Sequence, residues 1–174
     1  KQGLTDIVHS LVPFWPPYPI IPTLLTISIL LYALVRIGFM NIRYIGYFFN
    51  ILSIILLLRL PAFLVTITPP PGKKGERKDA CRYRYITNVM KASYKEEKYV
   101  CVDNLFSAHT AFIMISMMFI LTYSTIPLEK VIIALASVLT IFTLVSARYH
   151  YTSDVYISSI ISYLVFVVFT FHQS

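Results

Sequence analysis

The sequence is poor in charge. Only 13% of its 174 residues are Asp, Glu, Lys or Arg, whereas 57% are hydrophobic, and ordinary soluble domains carry about 25% charged residues. The apolar residues come in long blocks, each close to the ~20 residues that a helix needs to cross the hydrocarbon core of a bilayer. The composition therefore excludes an ordinary soluble domain and predicts an all-α, polytopic membrane helix bundle.

Cysteine is equally scarce. Cys81 and Cys101 are the two cysteines of the chain, which is too few for a disulfide scaffold or a Cys-based metal site. They could still form one bridge if both face an oxidising compartment. An unchanged count of free thiols after reduction would refute that bridge.

Acidic residues are few as well. The chain has 8 Asp and Glu against 15 Lys and Arg, which gives a net charge of +7. Nucleic acid is a common partner of basic proteins, but in so apolar a chain anionic lipid head groups are favoured, and we expect no nucleic-acid partner.

Five apolar runs predict five transmembrane helices within a single membrane domain that covers residues 1–174. Prolines and an aromatic pair near Trp15 predict an interfacial segment at the N-terminus. The chain opens with Lys1 rather than Met, and no basic-then-apolar signal segment precedes its first polar stretch, so we expect further elements upstream. The predicted parts are the interfacial segment at 1–19, the spans at 20–40, 44–68, 104–123, 131–149 and 153–172, and a polar loop at 69–103.

Basic residues are concentrated in the predicted loop. Residues 73–103 contain nine Lys and Arg and five Asp and Glu, a composition typical of a solvated loop or of a rim that attracts anionic head groups. Following the chain back and forth across the membrane places this loop on the same face as His109, His150 and Asp154. The short turns between the last three spans predict that these helices are antiparallel neighbours.

Two arginines lie within predicted spans. Arg36 is near the end of its span and can extend to the membrane surface. Arg59 is deeper, and a guanidinium inside a span costs about 2.5–3.5 kcal/mol on insertion scales, so it usually faces the bundle interior or a water-filled cavity. Extension of Arg59 to the membrane surface or a structural ion pair is one interpretation, and a contact with a phosphate group is the one we favour.

His109, His150 and Asp154 are candidate catalytic residues. His150 and Asp154 are four apart, so one helical turn or a tight loop would bring the carboxylate to the ring. A carboxylate bonded to one imidazole nitrogen fixes the tautomer and leaves the other nitrogen as nucleophile or base. Phosphoryl transfer needs in-line positioning and positive charge, which Arg59 or Arg148 could supply. Interfacial anchoring, a structural hydrogen bond or a metal site are the alternatives.

Four segments resemble motifs of the sphingomyelin synthases and related sphingolipid synthases. Cys101–Thr110, CVDNLFSAHT, resembles Cys-Gly-Asp-x-x-x-Ser-Gly-His-Thr, and His150–Val155, HYTSDV, resembles His-Tyr-Thr-x-Asp-Val. Arg59 through Thr66 is similar to the Arg-x6-Thr segment of that family, and Gly3 through Asp6 faintly resembles its Pro-Leu-Pro-Asp motif. The resemblance spans nearly the whole chain, with the segments in the same order.

The resemblance implies a six-helix transferase of the lipid phosphate phosphatase superfamily, with helices two to six in this chain. His150 would attack the phosphodiester of a glycerophospholipid, oriented by Asp154, and His109 would protonate the departing diacylglycerol. His109 would then deprotonate the primary hydroxyl of ceramide, which takes up the phospho-head group. The resemblance implies no metal and no cofactor, and it suggests substrate- or phosphate-binding roles for Arg59, Asp103, Ser107, Arg148 and Tyr149.

The chain departs from the family pattern at several positions. Val102 and Ala108 replace glycines, which would impair activity if the backbone must approach phosphate closely there. The paired arginines and the tyrosine expected upstream of Arg59 are replaced by Gly46, Tyr47 and Leu56. Two alternatives therefore stay open: an inactive lipid-binding relative, and a hydrolase of the lipid phosphate phosphatase type. Those hydrolases use an Arg where this chain has Leu144, and a Lys-x6-Arg-Pro motif that it lacks.

The resemblance also implies a location. It places the site on the lumenal or exoplasmic face of the Golgi or plasma membrane, or of the endoplasmic reticulum. This conflicts with the positive-inside rule, since the basic loop would lie outside. Tyr149 and Tyr151 could hold a quaternary ammonium by cation-π contact, but the sequence does not distinguish phosphocholine, phosphoethanolamine and phosphoinositol donors. It does not define the oligomeric state.

Overall fold

Five α-helices form the part of the chain that the computed structural model describes, namely residues 6, 8, 11–12, 20–65, 106–147 and 150–171. Within these residues there is no β-strand. The predicted all-α helix bundle is confirmed. In chain order the helices are α1 (Ile20–Met40), α2 (Ile42–Val65), α3 (Ala108–Tyr123), α4 (Pro127–Ser146) and α5 (Thr152–Phe171).

Four of these helices are long and apolar enough to cross a membrane. They are α1, α2, α4 and α5, each with an apolar stretch of 20 residues. Large apolar side chains such as Leu31, Leu57 and Leu135 lie exposed on their outer faces, which is stable only where lipid covers them. The protein is therefore an integral membrane protein. The fifth helix, α3, has 16 residues and rises about 24 Å, less than the ~30 Å of a hydrocarbon core.

The short helix α3 is the centre of the bundle. It packs against each of the other four helices, and side chains on all its faces are buried. The ring of Phe119 is fully buried, with ring centroids 5.3 Å from both Phe48 on α2 and Phe166 on α5. Helices α4 and α5 are joined by a short turn, but they make few contacts with each other and pack mainly on α3.

The helix ends differ from the predicted spans by up to four residues. The N-cap Ser107 sets the start of α3 at Ala108 rather than at 104. Pro127 begins α4 four residues earlier than predicted, because proline suits the first turn, where its missing N–H is not needed. Most of the interfacial segment, the 69–103 loop and the cysteines of the predicted bridge lie outside the described residues.

A cluster of polar side chains ties α1 to the turn between α3 and α4. The Arg36 guanidinium donates to both carboxylate oxygens of Glu129, at 2.6 and 2.9 Å. The Tyr32 hydroxyl donates to the same carboxylate at 2.6 Å, and so does the hydroxyl of Ser124. Glu129 is only 7% exposed. Arg36, which was predicted to be able to extend to the membrane surface, is 30% exposed and forms an ion pair with Glu129.

The helices run back and forth, so that the starts of α1, α3 and α5 and the last turns of α2 lie at one end of the bundle. The cluster around Glu129 lies at the other end. The described residues that carry the two histidine motifs are at the first of these ends, as the sequence predicts.

Candidate active site

The rings of His109 and His150 face each other although 41 positions separate them in the chain. Their centroids are 6.0 Å apart and their planes make an angle of 57°. His109 lies in the first turn of α3 and is half-buried, and His150 lies just before α5 and is 9% exposed. Two imidazoles at this separation can both reach the same small polar group.

The position of His109 is fixed by the way α3 begins. Ser107 has an extended backbone at the N-cap, and its Oγ accepts hydrogen bonds from the backbone N–H of Thr110 at 3.2 Å and from its hydroxyl at 3.0 Å. A serine that caps in this way satisfies a backbone donor that the helix leaves open. The predicted phosphate ligand Ser107 is thus fully buried and engaged as a helix cap.

The start of α5 is built around Asp154. Its Oδ2 accepts the backbone N–H of Tyr151 at 2.9 Å, and its Oδ1 accepts the Ser153 hydroxyl at 3.2 Å. The carbonyl of Tyr151 accepts from the N–H of Val155, so Tyr151 is the N-cap and Asp154 is the third helical residue. An acidic side chain at this position that bonds back to the N-cap forms half of a capping box.

The same carboxylate lies beside His150. Oδ2 of Asp154 is 3.9 Å from Nδ1 of His150, too far for a hydrogen bond but close enough to attract the ring when it carries a positive charge. Asp154 is only 2% exposed. The predicted pairing is therefore present as a contact, and the hydrogen bond that would fix the tautomer is not formed at this distance.

Ser158 joins the two motifs. The backbone N–H of Ser107 donates to Oγ of Ser158 at 2.6 Å, and the Ser158 hydroxyl donates to the carbonyl of Asp154 at 2.7 Å. Both serines are fully buried. The starts of α3 and α5 are thereby held together through one hydroxyl. Sequence reasoning missed Ser158, whose one signal is a serine spaced one turn after Asp154 on a strongly apolar helix.

Two residues from the N-terminal part of the chain reach the motifs. Oγ1 of Thr23, in the first turn of α1, is 3.4 Å from Nε2 of His109. The carboxylate of Asp6 accepts from the backbone N–H of Thr152 at 2.6 Å and from its hydroxyl at 3.0 Å. Thr23 was missed by sequence reasoning, and Asp6 was noted only as part of a faint motif.

Arg59 lies near the end of α2 at the same end of the bundle. Its side chain is half-buried, and it is close enough to His109 for their charges to interact. Three other predicted binding residues, Asp103, Arg148 and Tyr149, lie outside the described residues.

The site combines proton-transfer groups with positive charge. The N-terminus of α3 lies at His109, and the partial positive charge of such a terminus favours a bound anion. At the start of α5 the N–H groups of Tyr151 and Thr152 already donate to Asp154 and Asp6. Arg59 adds a full positive charge. Among the residues with described positions, no three His, Cys, Asp or Glu side chains come together in a way that could hold a metal ion.

One comparison with known proteins gave a match. Residues 100–172 match the family model described as PAP2 superfamily C-terminal, a segment that contains both histidine motifs and helices α3 to α5. No curated protein and no solved structure matches the chain. The match supports the lipid phosphate phosphatase superfamily for this segment, and with it a lipid enzyme of the phosphatase or phosphotransferase type, without distinguishing between these two activities.

Proposed function

We propose that the protein is a sphingolipid synthase, which transfers a phospho-head group from a glycerophospholipid to ceramide and releases diacylglycerol. The head group would be phosphocholine, phosphoethanolamine or phosphoinositol. The observation that supports this most directly is the pair of facing imidazoles 6.0 Å apart, with a carboxylate behind one of them. The resemblance of both histidine motifs to those of sphingolipid synthases supports ceramide as the acceptor.

In the first half-reaction a ring nitrogen of His150 attacks the phosphorus of the donor lipid. The bond between phosphorus and the glycerol oxygen breaks, and protonated His109 gives its proton to that oxygen, so that neutral diacylglycerol leaves. A positioned acid of this kind accelerates such steps by about 10²–10⁴-fold. The product on the protein is a phosphohistidine at His150.

In the second half-reaction His109, now neutral, accepts the proton of the primary hydroxyl of ceramide. The ceramide oxygen attacks phosphorus, and the bond between phosphorus and His150 breaks. Both histidines return to their starting protonation states, so no other reactant is consumed. The same residue thus serves as acid and then as base, which requires that it stay close to the reacting oxygen in both steps.

Asp154 and Arg59 would stabilise the charges that develop. The Asp154 carboxylate, 3.9 Å from Nδ1 of His150, stabilises the positive ring that exists while His150 carries phosphorus. Contacts of this kind often shorten when substrate binds. Arg59 and the N-terminus of α3 would face the negative phosphate oxygens, where preorganised positive charge lowers the barrier.

The remaining predicted binding residues keep distinct roles in this proposal. Asp103, Arg148 and Tyr149 are proposed substrate contacts on their sequence positions alone. Ser107 is proposed to build the start of α3 rather than to bind phosphate, because its Oγ is occupied by Thr110. We place the site on the lumenal or exoplasmic face of the Golgi or plasma membrane, or of the endoplasmic reticulum, following the same resemblance.

Hydrolysis of a lipid phosphate or phosphodiester is the second candidate. The family match to residues 100–172 is as consistent with a phosphatase as with a transferase, and the same two histidines would serve both reactions. Water would then replace ceramide in the second half-reaction. The two candidates differ in the acceptor and, where the substrate is a lipid phosphate, in the donor as well.

The test is a reconstitution in vesicles of defined lipid composition. Purified protein is incubated with phosphatidylcholine, phosphatidylethanolamine or phosphatidylinositol as donor and with labelled ceramide and diacylglycerol as competing acceptors, and products are identified by mass. Formation of ceramide that carries the phospho-head group supports the proposal, provided that His150→Ala abolishes this product. Release of the phospho-head group without acceptor favours hydrolysis. Absence of turnover with every donor, together with retained ceramide binding, favours an inactive relative.

A further inference from the structure

The contact between Asp6 and Thr152 joins parts of the chain that are 146 residues apart. Oδ2 of Asp6 accepts the backbone N–H of Thr152 at 2.6 Å, and Oδ1 accepts its hydroxyl at 3.0 Å. Oδ1 also accepts the backbone N–H of Val8 at 2.9 Å. The carboxylate therefore has a defined orientation on both the N-terminal segment and α5.

The sequence at the start of α5 explains why an external cap is needed. The N-cap is Tyr151, and tyrosine is not among the residues whose short polar side chains cap a helix. Asp154 bonds back to the N–H of Tyr151, which leaves the N–H of Thr152, the first helical residue, to be satisfied from elsewhere. Asp6 supplies the acceptor and adds a negative charge at a helix N-terminus, where it stabilises the helix.

The capped turn is the one that places the candidate nucleophile. His150 precedes Tyr151 directly, and Asp154 lies two residues after Thr152. An error of about 1 Å in the position of a reacting group can lower a rate by about 10²-fold. A cap that fixes Thr152 therefore acts on both residues through the backbone, without touching the substrate.

We propose that Asp6 is a positioning residue for the reaction at His150: by capping α5 at Thr152 it holds the His150 and Asp154 pair in register. The inference rests on the proposed function for its catalytic readout, but the contact itself can be tested without it. Asp6 lies outside residues 100–172, the segment that matches the family model, so the N-terminal segment would contribute to a site whose two histidines lie in that match.

The first test compares Asp6→Ala with Asp6→Asn in the full chain, reconstituted in vesicles. Asparagine keeps one acceptor oxygen, which can take the N–H of Thr152, whereas alanine keeps none. We expect Asp6→Ala to lower kcat by about tenfold with KM changed less than about threefold, and Asp6→Asn to keep kcat within about threefold of the native value. Equal kcat in Asp6→Ala and native protein overturns the proposal, and so does an Asp6→Asn variant as slow as Asp6→Ala.

The second test is a double-mutant cycle with Thr152→Val, which removes the hydroxyl contact and keeps the backbone one. We expect Thr152→Val to lower kcat by less than Asp6→Ala does, and the double variant to be no slower than Asp6→Ala alone, because both changes remove the same contact. Thr170→Val is the matched control: its hydroxyl bonds to carbonyls of α5 near the other end of that helix. Additive losses in the double variant would overturn the proposal.

The third test does not depend on catalysis. Amide hydrogen exchange of the peptide that contains residues 150–155 is followed in native protein, Asp6→Ala and Asp6→Asn. Faster exchange in Asp6→Ala with native rates in Asp6→Asn supports the cap, and equal exchange in all three overturns it. If native protein turns over no donor lipid, the proposed function fails, and hydrogen exchange still decides whether Asp6 caps α5.

Discussion

The backbone N–H of Ser107 donates a 2.6 Å hydrogen bond to Oγ of Ser158, and this bond connects the helix that carries His109 to the helix that follows His150. The Ser158 hydroxyl in turn donates a hydrogen bond to the carbonyl of Asp154. The distance between the two imidazoles thus depends on a contact between helix ends as well as on the histidines themselves.

Replacement of Ser158 by alanine should therefore weaken the contact between the starts of α3 and α5, which carry the two histidine motifs. The change leaves the buried N–H of Ser107 without its acceptor, and such a loss costs about 1–3 kcal/mol. We expect a lower thermal midpoint in detergent micelles and a kcat reduced by about tenfold at temperatures where the protein is still folded. The control is Ser159→Ala, which removes a half-buried hydroxyl that bonds only within α5. Equal behaviour of the two variants would contradict this reading.

Replacement of His109 tests its role as the acid. His109→Ala should lower transfer from a natural phospholipid by about 10²–10⁴-fold, because an alkoxide is a poor leaving group without a proton. A nitrophenyl ester of the same phospho-head group has a leaving group that needs no proton. With this ester, the first burst of nitrophenolate from His109→Ala should stay within about tenfold of native protein.

His150→Ala provides the contrast for that experiment. It should give no burst with either substrate, because the group that forms the bond to phosphorus is gone. A burst that persists in His150→Ala would refute the assignment of His150 as nucleophile. If His109→Ala slows the reaction equally with the phospholipid and with the nitrophenyl ester, the assignment of His109 as acid is refuted.

The membrane architecture follows from hydropathy, and this is why most of the fold could be predicted. The run at 20–40 coincides with α1, since a continuous apolar stretch must be helical where backbone groups find no water. Helix ends were less predictable. The start of α3 depends on the cap at Ser107, and a cap is recognisable only when the extended backbone of that residue is known.

The partners of the candidate site could not be predicted in the same way. Only three acidic residues lie outside the 73–103 segment: Asp6, Glu129 and Asp154. Each is engaged in the structure, and Asp154 makes its side-chain hydrogen bonds with residues close in sequence, whereas the other two also have partners far along the chain. Asp6 and Glu129 meet residues 146 and 93 positions away. Such contacts depend on the rotation and register of packed helices, which hydropathy leaves undefined.

Thr23 offers a test of whether α1 takes part in the site. Its Oγ1 is 3.4 Å from Nε2 of His109, so Thr23→Val, which conserves shape, removes a polar neighbour of the proposed acid. We expect kcat to fall by about three- to tenfold with little change in thermal midpoint, since one hydrogen bond contributes about 1 kcal/mol. Thr23→Ser, which keeps the hydroxyl, should retain native kcat. A Thr23→Ser variant as slow as Thr23→Val would show that shape rather than the hydroxyl matters.

The ion pair at the opposite end of the bundle should affect stability and leave catalysis intact. Glu129→Gln weakens four hydrogen bonds on one buried side chain, so we expect the thermal midpoint in micelles to fall by about 5 °C. Arg36→Met should also destabilise, because it leaves the buried carboxylate of Glu129 without its cation. The double variant Arg36→Met with Glu129→Gln should be more stable than the sum of the single losses predicts, since neither side chain is then left charged without a partner.

In each of these variants the kcat per folded molecule should equal that of the native protein, because this cluster lies at the end of the bundle away from His109 and His150. A lower kcat at temperatures well below the midpoint would show that the two ends are coupled.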